Sequence, residues 1–371
     1  MGIPERRMSL EPRWRGVDRV CGAVMPTGFP RFSRVSGFGP LAALIAGERN
    51  GRAFFLQRGL DLAELDPTTP IPFALMNEIF ERASREVGDP IFGARVGAAM
   101  RPEDYGAWVD YVLAADTLGA MIGRHCATVP LQTNAARYTL DSDGTLAVWR
   151  LTYPHDPADA HLQHALHFLP VLIDALRRYV GREVSGAEAR VPDCYAQDAR
   201  QLEGLLGVGV RPRSNELSLA FPAAWLRRWR PIQGDGEPVP PEALPPYISE
   251  PLPTIMTEAI IADLRLRMAG DAEGEAELSI VASDLGLTQR TVQRALNAEG
   301  VSYRDLLRHT RIARARVLLA TTGQPIAEVA LRSGYSDQAN FHRAFAAVTG
   351  MTPNRYRLAA RGLDALAMAA E

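Results

Sequence analysis

Residues 278–361 contain a degenerate internal repeat, and its spacing limits the folds open to this part of the chain. In each copy alanine, glycine, an apolar residue, arginine, a second apolar residue and a closing glycine recur in that order. The copies are Ala282, Gly286, Val292, Arg294, Leu296 and Gly300, then Ala330, Gly334, Phe341, Arg343, Phe345 and Gly350. A small residue lets two helices approach, glycine permits a turn and the apolar positions lock the pair. Each copy therefore predicts a helix-turn-helix unit, at 279–299 and at 325–349.

The local chemistry supports helices within and between the units. Thr288 and Ser336 are suitably placed to cap the second helix of each unit. Between the units, Ser302 and Asp305 form a capping-box-like start to a helix over residues 303–320. At 1.5 Å per residue this helix spans about 27 Å. Successive major-groove faces of DNA recur every 34–36 Å or so, so one rigid helix can hold two recognition helices in adjacent grooves.

The net charge of the chain hides an uneven distribution. The 371 residues sum to −2, and all 41 basic residues are arginines. Residues 278–361 hold 12 arginines against five acidic residues, a net charge of +7, whereas residues 1–277 carry −7 and residues 362–371 carry −2. The C-terminal segment that carries the repeat is therefore positively charged and can bind the phosphates of a nucleic acid.

The same stretch resembles the DNA-binding domain of the AraC/XylS family of bacterial transcription regulators, over about 100 residues. The resemblance implies an all-α, homeodomain-like domain with two helix-turn-helix units and a double-stranded DNA operator as partner. It is carried by Val281–Gly286, Thr288–Leu296, Gly300–Tyr303, Arg311–Leu319, Pro325–Ala330, Ser333–Phe345 and Gly350–Arg357.

The resemblance also implies which positions face DNA bases. These are Gln289, Arg290, Gln293 and Arg294 in the first unit and Gln338, Ala339, Asn340, His342 and Arg343 in the second. Arginine can grip guanine, and glutamine or asparagine can bind adenine. Arg294 and Arg343 could instead serve phosphates or a carboxylate such as Asp284. The candidates for phosphate contact, or simply for a solvated face, are Arg308, Arg311, Arg314, Arg355 and Arg357.

Composition divides the rest of the chain. Residues 231–253 contain eight prolines and no arginine, which predicts a semi-rigid linker; a long surface loop within one domain is the alternative. We expect a flexible tail at 1–37, an effector-sensing and dimerisation domain at 38–230, a DNA-binding domain at 254–361 and a tail at 362–371. The tail at 1–37 could begin with residues that are absent from the native protein, if Met25 is the true start.

Residues 38–230 predict a mostly helical α+β domain. A hairpin is expected from 136–140 and 145–151, a long helix from Ala158 to Val180, and a second strand pair from 208–211 and 216–220. The domain resembles the arabinose-binding-type, non-cupin effector domain of the VirS/OruR-like branch of the family, on residues 89–97, 102–106 and 117–118. That resemblance implies control by a small-molecule effector, but it carries over no ligand residue.

Histidines are concentrated on the predicted long helix. His161, His164 and His167 follow at spacings of three and are weak candidates for metal ligands. We favour the alternative of a partly exposed helix face that uses histidine as a neutral polar residue, and expect no metal or other cofactor. Trp108 and Phe168 belong to an apolar set that fits a core better than a pocket.

The remaining sequence features exclude or limit other functions. No GxSxG, HExxH or P-loop motif is present, so an enzyme is not expected. No run of about 18 apolar residues exists, which argues against a membrane span and favours the cytoplasm. We expect an activator that works as a homodimer, with RNA polymerase as a partner implied by the family. The alternative is an effector-independent, architectural DNA-binding protein whose N-terminal domain only oligomerises.

Overall fold

The computed structural model describes residues 29–360, with gaps at 35–36, 46–47, 57–59, 61, 63–68, 154–161, 215–216, 231–251, 254–255 and 270–275. The proline-rich segment therefore lies almost entirely outside the described residues. The N-terminal part contains β1 (Phe32–Arg34), α1 (Phe38–Leu44), α2 (Glu48–Leu56), β2 (Pro70–Pro72), α3 (Phe73–Val87), α4 (Phe92–Ala99), α5 (Ala107–Leu113), α6 (Leu118–Thr128), β3 (Arg137–Ser142), β4 (Leu146–Thr152), α7 (Leu162–Leu166), α8 (Phe168–Val180), β5 (Glu188–Pro192), α9 (Ala199–Leu206), β6 (Gly209–Ser214) and β7 (Leu217–Pro222).

A five-stranded sheet in the order β3-β4-β7-β5-β6 forms the centre of this domain. The predicted hairpin is confirmed, because β3 and β4 pair in antiparallel register. The predicted second strand pair is wrong in its pairing. β5 lies between β6 and β7, parallel to β6 and antiparallel to β7. Strand β5 escaped prediction because its run, Glu188–Pro192, is short and includes two charged residues.

Helices cover one face of the sheet. Along β4 the side chains of Ala147, Trp149 and Leu151 are buried, and they join an apolar core with α5, α6 and α8. The long helix predicted from Ala158 is two helices, α7 and α8, and residues 158–161 lie outside the described residues. The break at His167 lets α7 pack closely on α4.

Two glycines make that close packing possible. A Cβ atom on Gly93 would lie 2.0 Å from the carbonyl oxygen of Gln163, and one on Gly97 would lie 1.9 Å from that of His167. Both approaches are far closer than atoms can come. The backbone NH of Gly93 also donates a hydrogen bond of 2.8 Å to the Gln163 side chain. The fold therefore requires glycine at both positions.

The end of the segment that we predict to be a flexible tail is instead part of the fold. β1 pairs with β2 in antiparallel register, and Phe32 is completely buried. Phe32 is anchored from both sides, since its NH donates to Asn134 Oδ1 at 2.7 Å and its carbonyl accepts from the Thr133 hydroxyl at 3.1 Å. Sequence periodicity cannot detect a three-residue strand that pairs with another short strand about 40 residues away and is anchored by residues about 100 positions away.

The C-terminal part is entirely helical over its described residues. It contains α10 (Met256–Ala269), α11 (Leu278–Asp284), α12 (Gln289–Ala298), α13 (Tyr303–Thr321), α14 (Ile326–Arg332), α15 (Gln338–Thr349) and α16 (Pro353–Ala360). Both predicted helix-turn-helix units are present, as α11–α12 and α14–α15. Helix α13 lies where residues 303–320 predict it.

The two parts of the chain are in contact. Phe32 of β1 belongs to the apolar cluster that also contains Met256 and Ile260 of α10 and Val281 of α11. At the turn of the first unit, a Cβ atom on Gly286 would lie 3.3 Å from the Cβ atom of Ala74 in α3. Strand β1 and helices α3 and α10 therefore form the junction between the N-terminal domain and the first helix-turn-helix unit.

Candidate nucleic-acid interface

The first helix-turn-helix unit separates a buried face from a polar one. Val292 and Leu296 of α12 are buried, whereas the four predicted base-facing residues are all exposed. The Thr288 hydroxyl accepts a hydrogen bond from the Thr291 NH at 3.2 Å, which confirms it as the N-cap. Gly286 has φ +68°, so the turn before α12 needs a residue that tolerates the left-handed region. The exposed residues are Gln289, Arg290, Gln293 and Arg294.

The carboxylate of Asp284, which the sequence offers as a possible partner of Arg294, pairs with a different arginine. Asp284 accepts a hydrogen bond from Arg267 of α10. Within the part of the chain that the structure describes, neither Arg290 nor Arg294 forms an ion pair. Both guanidinium groups are therefore available on the surface of α12.

The second unit repeats this arrangement with a different cap. Asp337, not the predicted Ser336, caps α15, because its carboxylate accepts from the NH groups of Ala339 and Asn340 at 2.9 and 3.2 Å. Phe341 and Phe345 are buried beneath α15. Gln338, Ala339, Asn340 and Arg343 are exposed and His342 is half-buried. Arg343 donates a hydrogen bond to the side-chain oxygen of Asn340, three residues earlier.

Helix α13 fixes the spacing between the two units. Ser302 caps it as predicted, accepting from the Asp305 NH at 3.1 Å. Leu306, near its beginning, is buried in the core of the first unit, while Ile312 and Leu319 are buried in the core of the second. Because one helix of 19 residues contributes to both cores, it sets the distance between α12 and α15.

The five candidates for phosphate contact fall into two groups. Arg308 and Arg355 are exposed, and Arg308 forms a 2.8 Å ion pair with Asp305. The other three are half-buried and take part in packing within the domain. Arg314 Nε donates to the Arg332 carbonyl at 2.8 Å, Arg357 donates to the Gln324 carbonyl at 2.6 Å, and the Arg311 guanidinium lies 5.5 Å from the centre of the Tyr335 ring.

A buried cluster of charged side chains, which was not predicted from the sequence, connects α10 to the first unit. Arg267 donates to Asp263 at 2.9 Å and also to Asp284, and the Asp263 side chain is completely buried. Burial raises the pKa of Asp263, against the opposing effect of the adjacent Arg267 guanidinium. The i, i+4 spacing of Asp263 and Arg267 was the available sequence signal, but it cannot show burial.

The histidines of the predicted metal set are core residues where the structure describes them. His161 lies outside the described residues, and His164 and His167 are 3% and 1% exposed, so the predicted partly exposed face is wrong. Both rings pack against Phe80, and the Tyr153 hydroxyl lies 3.3 Å from His164 Nδ1. Burial lowers the pKa of His167 to about 4. Among the described residues, no three histidine, cysteine or acidic side chains are grouped so that they could hold a metal ion.

Two family models match the chain. Residues 50–229 match the N-terminal arabinose-binding domain of AraC transcription regulators, and residues 281–359 match a helix-turn-helix domain. The second match covers both units and the helix that joins them. Within the described residues, no helix is long and apolar enough to cross a membrane.

Two curated relatives and one solved structure are similar to this chain. The HTH-type transcriptional regulator VirS of Mycobacterium tuberculosis is 37% identical over 84 residues, which are 23% of this chain and 25% of VirS. The ornithine utilization regulator of Pseudomonas aeruginosa is 24% identical over 294 residues, 78% of this chain and 85% of that protein. The structural match to the crystal structure of the transcriptional regulator CdpR from Pseudomonas aeruginosa covers 76% of this chain and 91% of the CdpR chain. Its sequence identity is 22% and its TM-score is 0.35.

The fold and these matches define a two-domain helix-turn-helix protein. The chain belongs to the AraC family, with an arabinose-binding-type N-terminal domain. The similarity to VirS spans a quarter of that relative. The matched domains and relatives are those of transcription regulators and not of enzymes.

Proposed function

We propose that this chain is a sequence-specific DNA-binding transcription regulator whose helices α12 and α15 enter adjacent major grooves. The observation that carries the proposal is the pair of exposed polar faces on these helices, held apart by α13, which contributes to both cores. Arginine, glutamine and asparagine at these faces are the residue types that read base edges in the major groove. The net charge of +7 over residues 278–361 would draw this domain to DNA.

The regulatory part of the proposal comes from the family. The N-terminal domain binds a small-molecule effector and forms a homodimer, and the protein acts in the cytoplasm as an activator that contacts RNA polymerase. An effector changes DNA binding only if it has different affinities for the DNA-competent and DNA-incompetent states. The junction of β1, α3 and α10 is the place where such a difference can reach the first unit.

DNA selection tests the recognition helices. The full-length protein would be used to enrich sequences from a random duplex library, and Kd for the selected duplex would be measured by fluorescence anisotropy at one salt concentration. We expect Arg294→Ala and Arg343→Ala each to weaken binding by about 5- to 100-fold. Arg182→Ala, which removes an exposed arginine of the N-terminal domain, is the matched control. Wild-type affinity in both recognition-helix variants would show that the assignment is wrong.

The competing architectural role predicts a different response to small molecules. A thermal-shift screen against a panel of metabolites, followed by Kd measurements on the selected duplex, separates the two. A compound that raises Tm and changes Kd supports a sensor. If compounds bind without changing Kd, the N-terminal domain serves assembly alone, and sedimentation of the full-length protein would show the oligomer.

A further inference from the structure

The N-terminal domain contains a partly open cavity of about 60 Å³. Helices α5, α6 and α8 and strand β4 form its walls, and β1 closes one end. Its lining includes Trp108 and Val112 of α5, His125 of α6, Trp149 of β4 and Phe168 and Val171 of α8. A single water molecule needs roughly 10–15 Å³, so the cavity has room for a larger guest.

The lining is mostly apolar and aromatic. Besides His125, its polar side chains are those of Ser33, Arg34, Tyr105, Gln132 and Thr133. Among the described residues, no aspartate or glutamate lines the cavity. The Trp108 NH is already used, since it donates to the Thr128 hydroxyl at 2.9 Å. The His125 side chain lines the cavity, is 8% exposed, and its Nδ1 atom has no hydrogen-bond partner within the described structure. Burial lowers the pKa of His125 to about 3, which keeps the imidazole neutral at physiological pH.

We propose that this cavity is the effector site and takes a neutral, single-ring aromatic molecule whose one polar group hydrogen-bonds to the His125 imidazole. The proposal rests on the proposed function and names the ligand class for it. Aromatic walls offer ring contacts to such a guest, and a buried neutral imidazole favours a hydrogen-bonding group over a charge. Arg34 also lines the cavity, but its Nε atom donates to the Leu131 carbonyl at 2.8 Å.

The cavity reaches the DNA-binding domain through β1. Ser33 and Arg34 line the cavity, whereas their neighbour Phe32 is buried in the cluster formed with α10 and α11. Because Phe32 is held by Thr133 and the adjoining Asn134, and Thr133 also lines the cavity, a shift of this wall moves Phe32 with it. Ligand occupancy is thereby coupled to the packing of the first helix-turn-helix unit.

Phenol is the probe that tests the site, with toluene and benzoate as its apolar and anionic counterparts. In thermal-shift titrations of the full-length protein, we expect phenol to raise Tm saturably and benzoate to have no effect. Val171→Phe fills the cavity from a half-buried position and abolishes the phenol shift. Val87→Phe makes the same change at an exposed site and keeps it. A phenol shift that persists in Val171→Phe, or a shift with benzoate alone, overturns the proposal.

A second variant tests the polar contact without filling the cavity. His125→Phe keeps a ring but removes both nitrogen atoms, so the preference for phenol over toluene is expected to fall by about 2- to 10-fold. An unchanged preference contradicts the role of His125. Circular dichroism of each variant confirms that it is folded.

The coupling has its own measurement. Saturating phenol is expected to change Kd for the selected duplex in the wild type, and Phe32→Leu is expected to reduce that change at least twofold while leaving phenol binding intact. An undiminished change in Phe32→Leu contradicts the coupling through β1. If no duplex is bound with preference, the proposed function fails even when phenol binds. If DNA binding is normal and phenol does not bind, only the assignment of the cavity fails.

Discussion

Arg267 of α10 donates a hydrogen bond to Asp284, the last residue of α11 in the first helix-turn-helix unit. The same guanidinium also binds Asp263 one turn earlier on α10. Helix α10, which also contacts the N-terminal domain, is thus bound by buried charge to the first helix of the first helix-turn-helix unit. Two carboxylates share one cation in this cluster, so its charge balance is sensitive to substitution and to pH.

Removing the shared cation should be strongly destabilising. Arg267→Met leaves two partly or fully buried carboxylates without a cation, and breaking a buried pair from one side costs roughly 3–5 kcal/mol. Urea unfolding of the full-length protein measures the loss. Arg265→Met, at an exposed position of the same helix, is the matched control and should lose less than about 1 kcal/mol. Equal losses in the two variants would contradict a special role for the cluster.

The cluster also predicts a dependence of stability on pH. Burial raises the pKa of Asp263 from 3.8 to about 7. A carboxyl with a raised pKa in the folded state contributes stability at low pH, and that contribution is lost as pH rises from about 4 to about 7. Asp263→Asn removes this group, so the free energy of unfolding of the variant should fall less than that of the wild type over this range. An identical pH profile for the two proteins would argue against a raised pKa.

The buried His167 makes stability depend on pH in the opposite direction. Burial lowers the pKa of His167 from 6.5 to about 4, so its contribution to stability is present at neutral pH and is lost as pH falls from about 6.5 to 4. His167→Phe should remove up to about 3 kcal/mol of this acid-induced loss. Denaturant unfolding of both proteins at pH 7 and pH 4.5 measures it. The prediction fails if the variant loses as much stability on acidification as the wild type.

The contact between α4 and the α7–α8 break predicts a steric effect. A methyl group at Gly97 would collide with the His167 carbonyl oxygen, so Gly97→Ala must push two helices apart and should cost at least about 1–3 kcal/mol. Gly123→Ala provides the control, because a Cβ atom there meets no neighbour within 4 Å and alanine is the better helix former. Thermal unfolding should show a lower Tm for the first variant and an unchanged or higher Tm for the second.

The cap of α15 gives a direct comparison between adjacent residues. Asp337→Ala should cost about 1 kcal/mol, because two NH groups at the beginning of the helix lose their acceptor. Ser336→Ala should have little effect, since the Ser336 side chain does not cap this helix. Denaturant unfolding of the two variants checks the order, and a larger loss for Ser336→Ala would restore the expectation drawn from the sequence.

The repeat and its spacing were enough to predict the DNA-binding domain. Glycine turns, capping residues and apolar positions act over a few residues, so the sequence of 278–361 defines the two units, helix α13 and the polar faces of α12 and α15. The hairpin of β3 and β4 was predictable for the same reason. The prediction of Ser336 as the cap of α15 was wrong because Ser336 and Asp337 can each cap a helix, and only backbone geometry distinguishes them.

Only the tertiary structure decided the features that depend on distant contacts. Strand β1 pairs with β2 about 40 residues away, β5 inserts between β6 and β7, and Arg267 becomes a buried cation when α10 packs on α11. The cavity at His125 likewise combines walls from four separate elements. Local sequence pattern records which residues prefer a helix, a strand or a turn. It does not record which apolar faces pack against each other, and this packing determines which residues of the protein are buried.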